Sequence, residues 1–215
     1  MKKVFLLLVS LVLLSGCTIT RMDTKTYDEV IDKVLSLNIK LSNKVGKGYK
    51  YYAPRGVVRV DANTYNDVLK RDSTTYYLYV DVVSYYNRVI ENYTEDEKAV
   101  YSKKINYEDK YGYIEINKWK NGKYLLEIMY NYAKIEVIVD EENIKSAITN
   151  AMVVLSSVKY NNNILESIVG ENVLATKEIE FNIFETKKNE SNFLKVSEED
   201  VYEDKDVPND PDLVN

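Results

Sequence analysis

Ile114-Glu115-Ile116-Asn117-Lys118-Trp119, then Lys120-Asn121-Gly122, then Lys123-Tyr124-Leu125-Leu126-Glu127-Ile128-Met129-Tyr130 reads as two strands folded back on each other. Asn and Gly both accept positive φ, and a tight turn with that backbone matches the right-handed twist of the strands it joins. Working outward, Ile135 to Val139 is a further strand, or the continuation of its neighbour past a bulge near Asn131. Upstream, Tyr76 to Tyr86 predicts one long strand, and Asn87 to Tyr93 extends it or turns into the next segment. Tyr49 to Tyr52 and Gly56 to Val60 flank Pro54, which belongs at an edge or a bend. Helical spacing takes over on both sides of this strand-rich region. Val30, Ile31, Val34, Leu35, Leu37 and Leu41 predict a helix from Asp23 or Thr24 to about Ser42, stopped by Gly46 and Gly48. After Asp140, the stripe Ile144, Ala147, Ile148, Ala151, Met152 and Leu155 predicts a second helix, from about Glu141 to Val158. Asn150 falls about 200° from Ile148 at about 100° per residue, on the side expected to face water.

Ile164 to Val169 fits helix or strand equally, and Lys177 to Glu185 alternates as a half-buried strand. A helix, many strands without helices between them, a helix and a strand make an α+β order with a mainly antiparallel sheet, packed by the N-terminal helix and the later amphipathic one. The order, with the second helix running into Leu155-Ser156-Ser157-Val158-Lys159, also resembles the PsbP/Mog1-like α/β/α sandwiches. That resemblance implies helices on both faces of the sheet as the alternative architecture.

The N-terminus carries an address. Lys2 and Lys3 precede an apolar run from Val4 to Leu14, interrupted only by Ser10, and then Leu14-Ser15-Gly16-Cys17. The run is shorter than the roughly 20 residues needed to span a bilayer, so it reads as a signal peptide. The last four residues resemble the lipobox of bacterial lipoproteins. The resemblance implies cleavage before Cys17, lipid on its thiol and anchoring on the extracytoplasmic face of the cell membrane. The expected organisation is a signal peptide at 1–16, a lipidated tether at 17–22, one α+β domain at 23–186 and an acidic disordered tail at 187–215. Cys17 is the only cysteine, which excludes an internal disulfide.

Charge and composition narrow the function. Residues 17–196 carry 26 basic and 26 acidic side chains, whereas 197–215 carry one basic and eight acidic. A neutral domain has no basic stripe for a nucleic-acid backbone, so no nucleic acid is expected. Histidine is absent, which removes the commonest general base and metal ligand. No Gly-x-Ser-x-Gly or phosphate-cradling glycine loop occurs, and the acidic tail lacks a calcium-loop spacing, so no cofactor, metal site or catalytic residue is assigned. Ser156-Ser157-Val158-Lys159 has the Ser-x-x-Lys form of penicillin-binding proteins but lacks their companion motifs, and reads as a helix end.

Tyrosine supplies 20 of the 215 residues. Its flat ring and polar tip suit a sugar or an extended peptide, and it is equally a strong strand former. On the expected long strand, Tyr77, Tyr79, Asp81 and Tyr85 share one face. With Tyr51 and Arg55 they are the candidate ligand-binding residues, Arg55 being the charge placed to fix an anionic group. The reading that follows is a membrane-anchored envelope lipoprotein that binds a peptide, glycan or protein without catalysis. The alternative is an envelope hydrolase using paired carboxylates.

Overall fold

The computed structural model describes residues 25–169. The leader, Cys17, the strand expected at 177–185 and the acidic end lie outside them. Ten strands and four helices follow in the order α1 (Tyr27–Leu35), β1 (Lys44–Gly46), β2 (Tyr49–Tyr51), β3 (Val58–Asn63), β4 (Asn66–Arg71), β5 (Thr74–Val80), α2 (Val82–Asn87), β6 (Tyr101–Tyr107), β7 (Lys110–Lys118), β8 (Tyr124–Tyr130), β9 (Ala133–Val139), α3 (Ile144–Ser156), β10 (Lys159–Tyr160) and α4 (Asn162–Val169). This is an α+β fold with antiparallel pairing throughout the described sheets.

The expected hairpin is present. β7 and β8 pair from Gly112 opposite Tyr130 to Lys118 opposite Tyr124, and Asn121 and Gly122 take φ of 59° and 71° in the connection. Of the two readings of Ile135 to Val139, the further strand is the one present, and a tight hairpin stands in place of the bulge: Tyr130 pairs with Ala133 across Asn131 and Tyr132, whose φ values are 54° and 59°. Similar two-residue connections join β4 to β5 and β6 to β7, giving a seven-stranded sheet in the order β3-β4-β5-β9-β8-β7-β6.

One face of that sheet holds the core. Leu69, Tyr76, Leu78, Val80, Ile114, Ile116, Leu126, Ile128, Ile135 and Val137 alternate inward and are almost completely buried. α3 lies on β8 and β9 with α1 beside it. Tyr27 of α1 meets Tyr101 of β6 edge to face at 5.2 Å between centroids. Both long helices therefore share one face, a two-layer arrangement and not the α/β/α sandwich. A small sheet, β1-β2-β10, adds to the same layer and buries Tyr49 and Tyr51 in the core.

Three expectations change. α1 begins at a capping box, Thr26 with Glu29, and ends at Leu35, because Asn38 takes φ 43°. Leu37 and Leu41 consequently stand in solvent, and Gly46 and Gly48 shape the β1–β2 hairpin, where Gly48 adopts φ +83°. The strand from Tyr76 ends at Val80, where Asp81 starts α2. Asn150 is buried, as described below.

Candidate ligand-binding surface

Alternation along β6 to β9 sends a second set of side chains to the face opposite the helices. In register across the sheet stand Ser102, Glu115, Glu127, Glu136 and Tyr77, each directly beside the next. Three carboxylates in a row on neighbouring strands repel one another unless partnered. Each has a partner. Lys134 Nζ lies 3.2 Å from Glu136 Oε1. Tyr93 Oη donates to Glu115 Oε2 at 2.5 Å and meets Ser102 Oγ at 2.7 Å, while Tyr113 Oη donates to Glu127.

Tyr93 comes from the irregular connection 88–100. Arg88 ends α2 in the left-handed region at φ 59° and turns the chain across this face toward β6. The ring of Tyr93 lies flat on Tyr113, with centroids 4.0 Å apart and planes 2° from parallel. Farther along the connection, Glu95 accepts from the Lys104 backbone N–H at 2.9 Å, and the Asp96 N–H donates to Ser102 Oγ at 2.9 Å. Burial, and then the neighbouring glutamates, hold both tyrosine hydroxyls well above their ordinary range, so they remain neutral donors.

Between the connection and β6–β8 lies a cavity of about 210 Å³. Its walls include Ile90, Tyr93, Tyr111, Tyr113, Met129 and Tyr132, and its polar lining includes Lys104, Glu91, Asn92 and Asn106. Ile90 and Tyr111 are about half exposed, so the cleft is open to solvent. Glu115 and Glu127 are not among its lining residues.

The residues singled out from sequence disperse. Tyr77 and Tyr79 are half-buried on this same face, opposite Glu136 and Lys134 on β9. Asp81 is not a strand residue: its side chain accepts from the Ser84 N–H at 2.7 Å and caps α2. Tyr85, on α2, stacks on Tyr160 at 3.7 Å and carries Arg88 over its ring at 4.8 Å. Arg55 is exposed in the turn before β3. Tyr51 points the other way, into the core, and donates to Asp67 Oδ2 at 2.5 Å, where Arg59 also reaches at 3.4 Å. The neighbouring Tyr49 hydroxyl is buried with no hydrogen-bond partner among the described residues. Ser157 of the Ser-x-x-Lys stretch is wholly buried: its hydroxyl donates to Val154 O at 2.7 Å and accepts from Tyr52 N at 2.8 Å, which makes it a splice between α3 and the small sheet.

The cleft residues Tyr93, Lys104 and Met129 were not foreseen. Period-two alternation places Tyr111, Tyr113 and Glu115 on one face, but nothing local in residues 88–100 reveals where they cross the sheet. Among the described residues no group of three or more His, Cys, Asp or Glu side chains is arranged to hold a metal ion. Residues 1–18 match the family described as the prokaryotic membrane lipoprotein lipid attachment site, a stretch that includes Cys17. No curated protein matches the chain.

Proposed function

We propose that this bacterial lipoprotein is a non-catalytic binding module. Lipid on Cys17 holds it at the extracytoplasmic face of the cell membrane, and the cleft beneath residues 88–100 receives one apolar or aromatic side chain of an envelope peptide or partner protein. The observation that carries this reading is the cavity of about 210 Å³ with a wall of stacked tyrosines. A dry cavity of roughly 150 Å³ accepts benzene, whereas whole drug-sized ligands occupy about 300 to 1,000 Å³. The cleft therefore fits a single anchoring side chain, the usual centre of a peptide or protein contact. Lys104 and Glu91 put one charge of each sign at its lining, which suits a peptide backbone and its neighbours better than a singly charged small molecule. A hydrolase would draw on Glu115 and Glu127, which face each other across β7 and β8. Both accept tyrosine hydroxyls outside the cleft, which favours a role in holding the rings.

The test is titration with N-acetylphenylalaninamide, followed by amide shifts in labelled protein. Saturable shifts should centre on Ile90, Tyr111 and Met129. Tyr111→Ala should weaken the interaction severalfold, and Glu127→Gln should retain it. Shifts absent from the cleft, or unchanged by Tyr111→Ala, would reject the assignment.

A further inference from the structure

We propose that residues 36–50 and the lysine-lined pocket beside them form a second membrane contact, which seats the domain on the anionic surface of the bilayer that holds its lipid. The segment contains Lys40, Lys44, Lys47 and Lys50 and no acidic residue. Because α1 stops at Leu35, the segment also exposes large apolar side chains: Leu37 at 55%, Leu41 at 66% and Val45 at 70%. Lysines interleaved with exposed aliphatic side chains are the composition of interfacial membrane-binding surfaces, where the apolar groups enter the headgroup boundary and the ammonium groups meet lipid phosphates.

The small sheet gives this composition a face. Its buried side holds Tyr49 and Tyr51, and its other side lines up Val45, Lys50 and Lys159 in register across β1, β2 and β10. Two lysines directly opposite each other repel. Three lysines elsewhere pair with acids, Lys103 with Asp28, Lys123 with Asp140 and Lys134 with Glu136; what sets this surface apart is how closely its lysines crowd in sequence and register. Among the described residues no carboxylate lies within ion-pair distance of Lys40, Lys44, Lys47, Lys50, Lys110 or Lys159. The even charge balance of residues 17–196 conceals this local basic stretch because it averages over the chain, and an uncompensated cationic surface of this kind is complementary to a layer of phosphodiesters.

Next to it a cavity of about 90 Å³ is lined by Lys40, Lys110, Lys159, Ser156 and Glu108. Lys159 Nζ donates to the Lys40 carbonyl, which fixes one side of the opening. Three lysines and one glutamate among the residues lining so small a space leave a positive balance, which suits a phosphate headgroup.

Geometry puts the surface within reach of the bilayer. Eight peptide steps separate Cys17 from Lys25, at most about 30 Å of extended chain. The nine residues of α1 add about 14 Å before the basic segment begins. A lipid-tethered surface this close acts at high effective concentration, so weak individual contacts suffice.

The experiment uses the mature chain from residue 17 with Cys17→Ser, which cannot be lipidated, and vesicles of phosphatidylcholine with or without phosphatidylglycerol. The protein should sediment with the anionic vesicles alone and be released at high salt. Lys47→Gln/Lys50→Gln should weaken association roughly 30-fold, at about fivefold per lysine. Leu41→Gln/Val45→Gln should weaken it with an unchanged thermal melt. Equal binding to neutral vesicles, or lysine variants that bind as before, overturns the proposal. Release by millimolar inorganic phosphate would make this a free-anion site. Binding that emerges only after truncation beyond Lys195 would make the chain's own acidic end its occupant. Either outcome also overturns the bilayer contact.

Discussion

Asn150 lies on the side of α3 where helical spacing expects water, yet it is only 4% exposed. Its Oδ1 accepts from Arg71 Nη1 at 2.8 Å, and its Nδ2 donates to Tyr76 Oη at 3.1 Å. The apolar stripe was legible because it needs only periodicity. The burial of the remaining surface was not, because it depends on where distant residues fold. Asn150→Ala leaves the Arg71 and Tyr76 partners without their acceptor and donor and should cost about 1 to 3 kcal/mol in urea denaturation. Ile148→Ala, wholly buried, should cost about 2 to 5 kcal/mol through its cavity. A neutral Asn150→Ala would restore the water-facing assignment. The adjacent tyrosines Tyr49 and Tyr51 make a sharper pair. Tyr51→Phe removes the donor to buried Asp67 and should destabilise by about 1 to 3 kcal/mol. Tyr49→Phe removes a buried hydroxyl that has no partner among the described residues, and should be neutral or stabilising by up to about 1 kcal/mol. Equal losses in the two melts would contradict these environments.

At the level of elements, local chemistry was legible where the turn residues are unambiguous and hidden where they are not. Asn121-Gly122 announced the β7–β8 hairpin, whereas Asn131-Tyr132, which makes a tighter, two-residue turn, did not, because tyrosine rarely adopts positive φ. Tertiary contacts hold it there: the Tyr132 ring meets Tyr85 edge to face at 5.6 Å, and its carbonyl accepts from Tyr160 Oη at 3.0 Å. A Cβ on Gly122 would meet nothing within 4 Å, so Gly122→Ala isolates the backbone term and should cost about 1 kcal/mol. The other element-scale test is the α1 cap. Glu29 N–H donates to Thr26 Oγ1 at 3.2 Å, while Thr26 N–H donates to Glu29 Oε2 at 2.7 Å. Thr26→Ala should cost about 1 kcal/mol, seen as a lower denaturation midpoint with an unchanged slope. An unaffected midpoint would mean that packing on α3 alone holds this helix.

Over the whole molecule, the α+β class and the antiparallel sheet follow from the order of periodic segments, but which face stays open does not. That depends on α1, α3 and the small sheet gathering on one side, a long-range outcome that no window of sequence contains. The tyrosine abundance was plain, and its two uses separate only in three dimensions: rings inside the core, and rings bonded to the carboxylate row. Both uses predict sensitivity to alkali. Tyr49, Tyr51, Tyr93, Tyr113 and Tyr130 are each at most 8% exposed. Burial first, and then nearby acids such as Asp67, Glu115 and Glu127, raise their pKa values well above the ordinary tyrosine range. In the unfolded chain they ionise near the ordinary value of about 10. Above that pH the unfolded state has lost protons that the native state keeps, so stability falls as pH rises. Below it the contribution is fully present. Each such tyrosine changes stability by up to about 1.4 kcal/mol per pH unit, so five acting together approach roughly 7 kcal/mol per unit. Domains of this size are stable by only about 5 to 15 kcal/mol, and unfolding should follow within one or two pH units above 10. Lys103 with Asp28 changes in the same direction, because its pKa is raised by its hydrogen bond to Asp28, but this pair is nearly half exposed and adds little. Tyrosinate absorbance and far-ultraviolet circular dichroism, recorded together at constant ionic strength, should show a late, cooperative group of tyrosines ionising as the sheet is lost. If every tyrosine titrated near pH 10 while the dichroism persisted, these rings would not be packed and hydrogen-bonded as described.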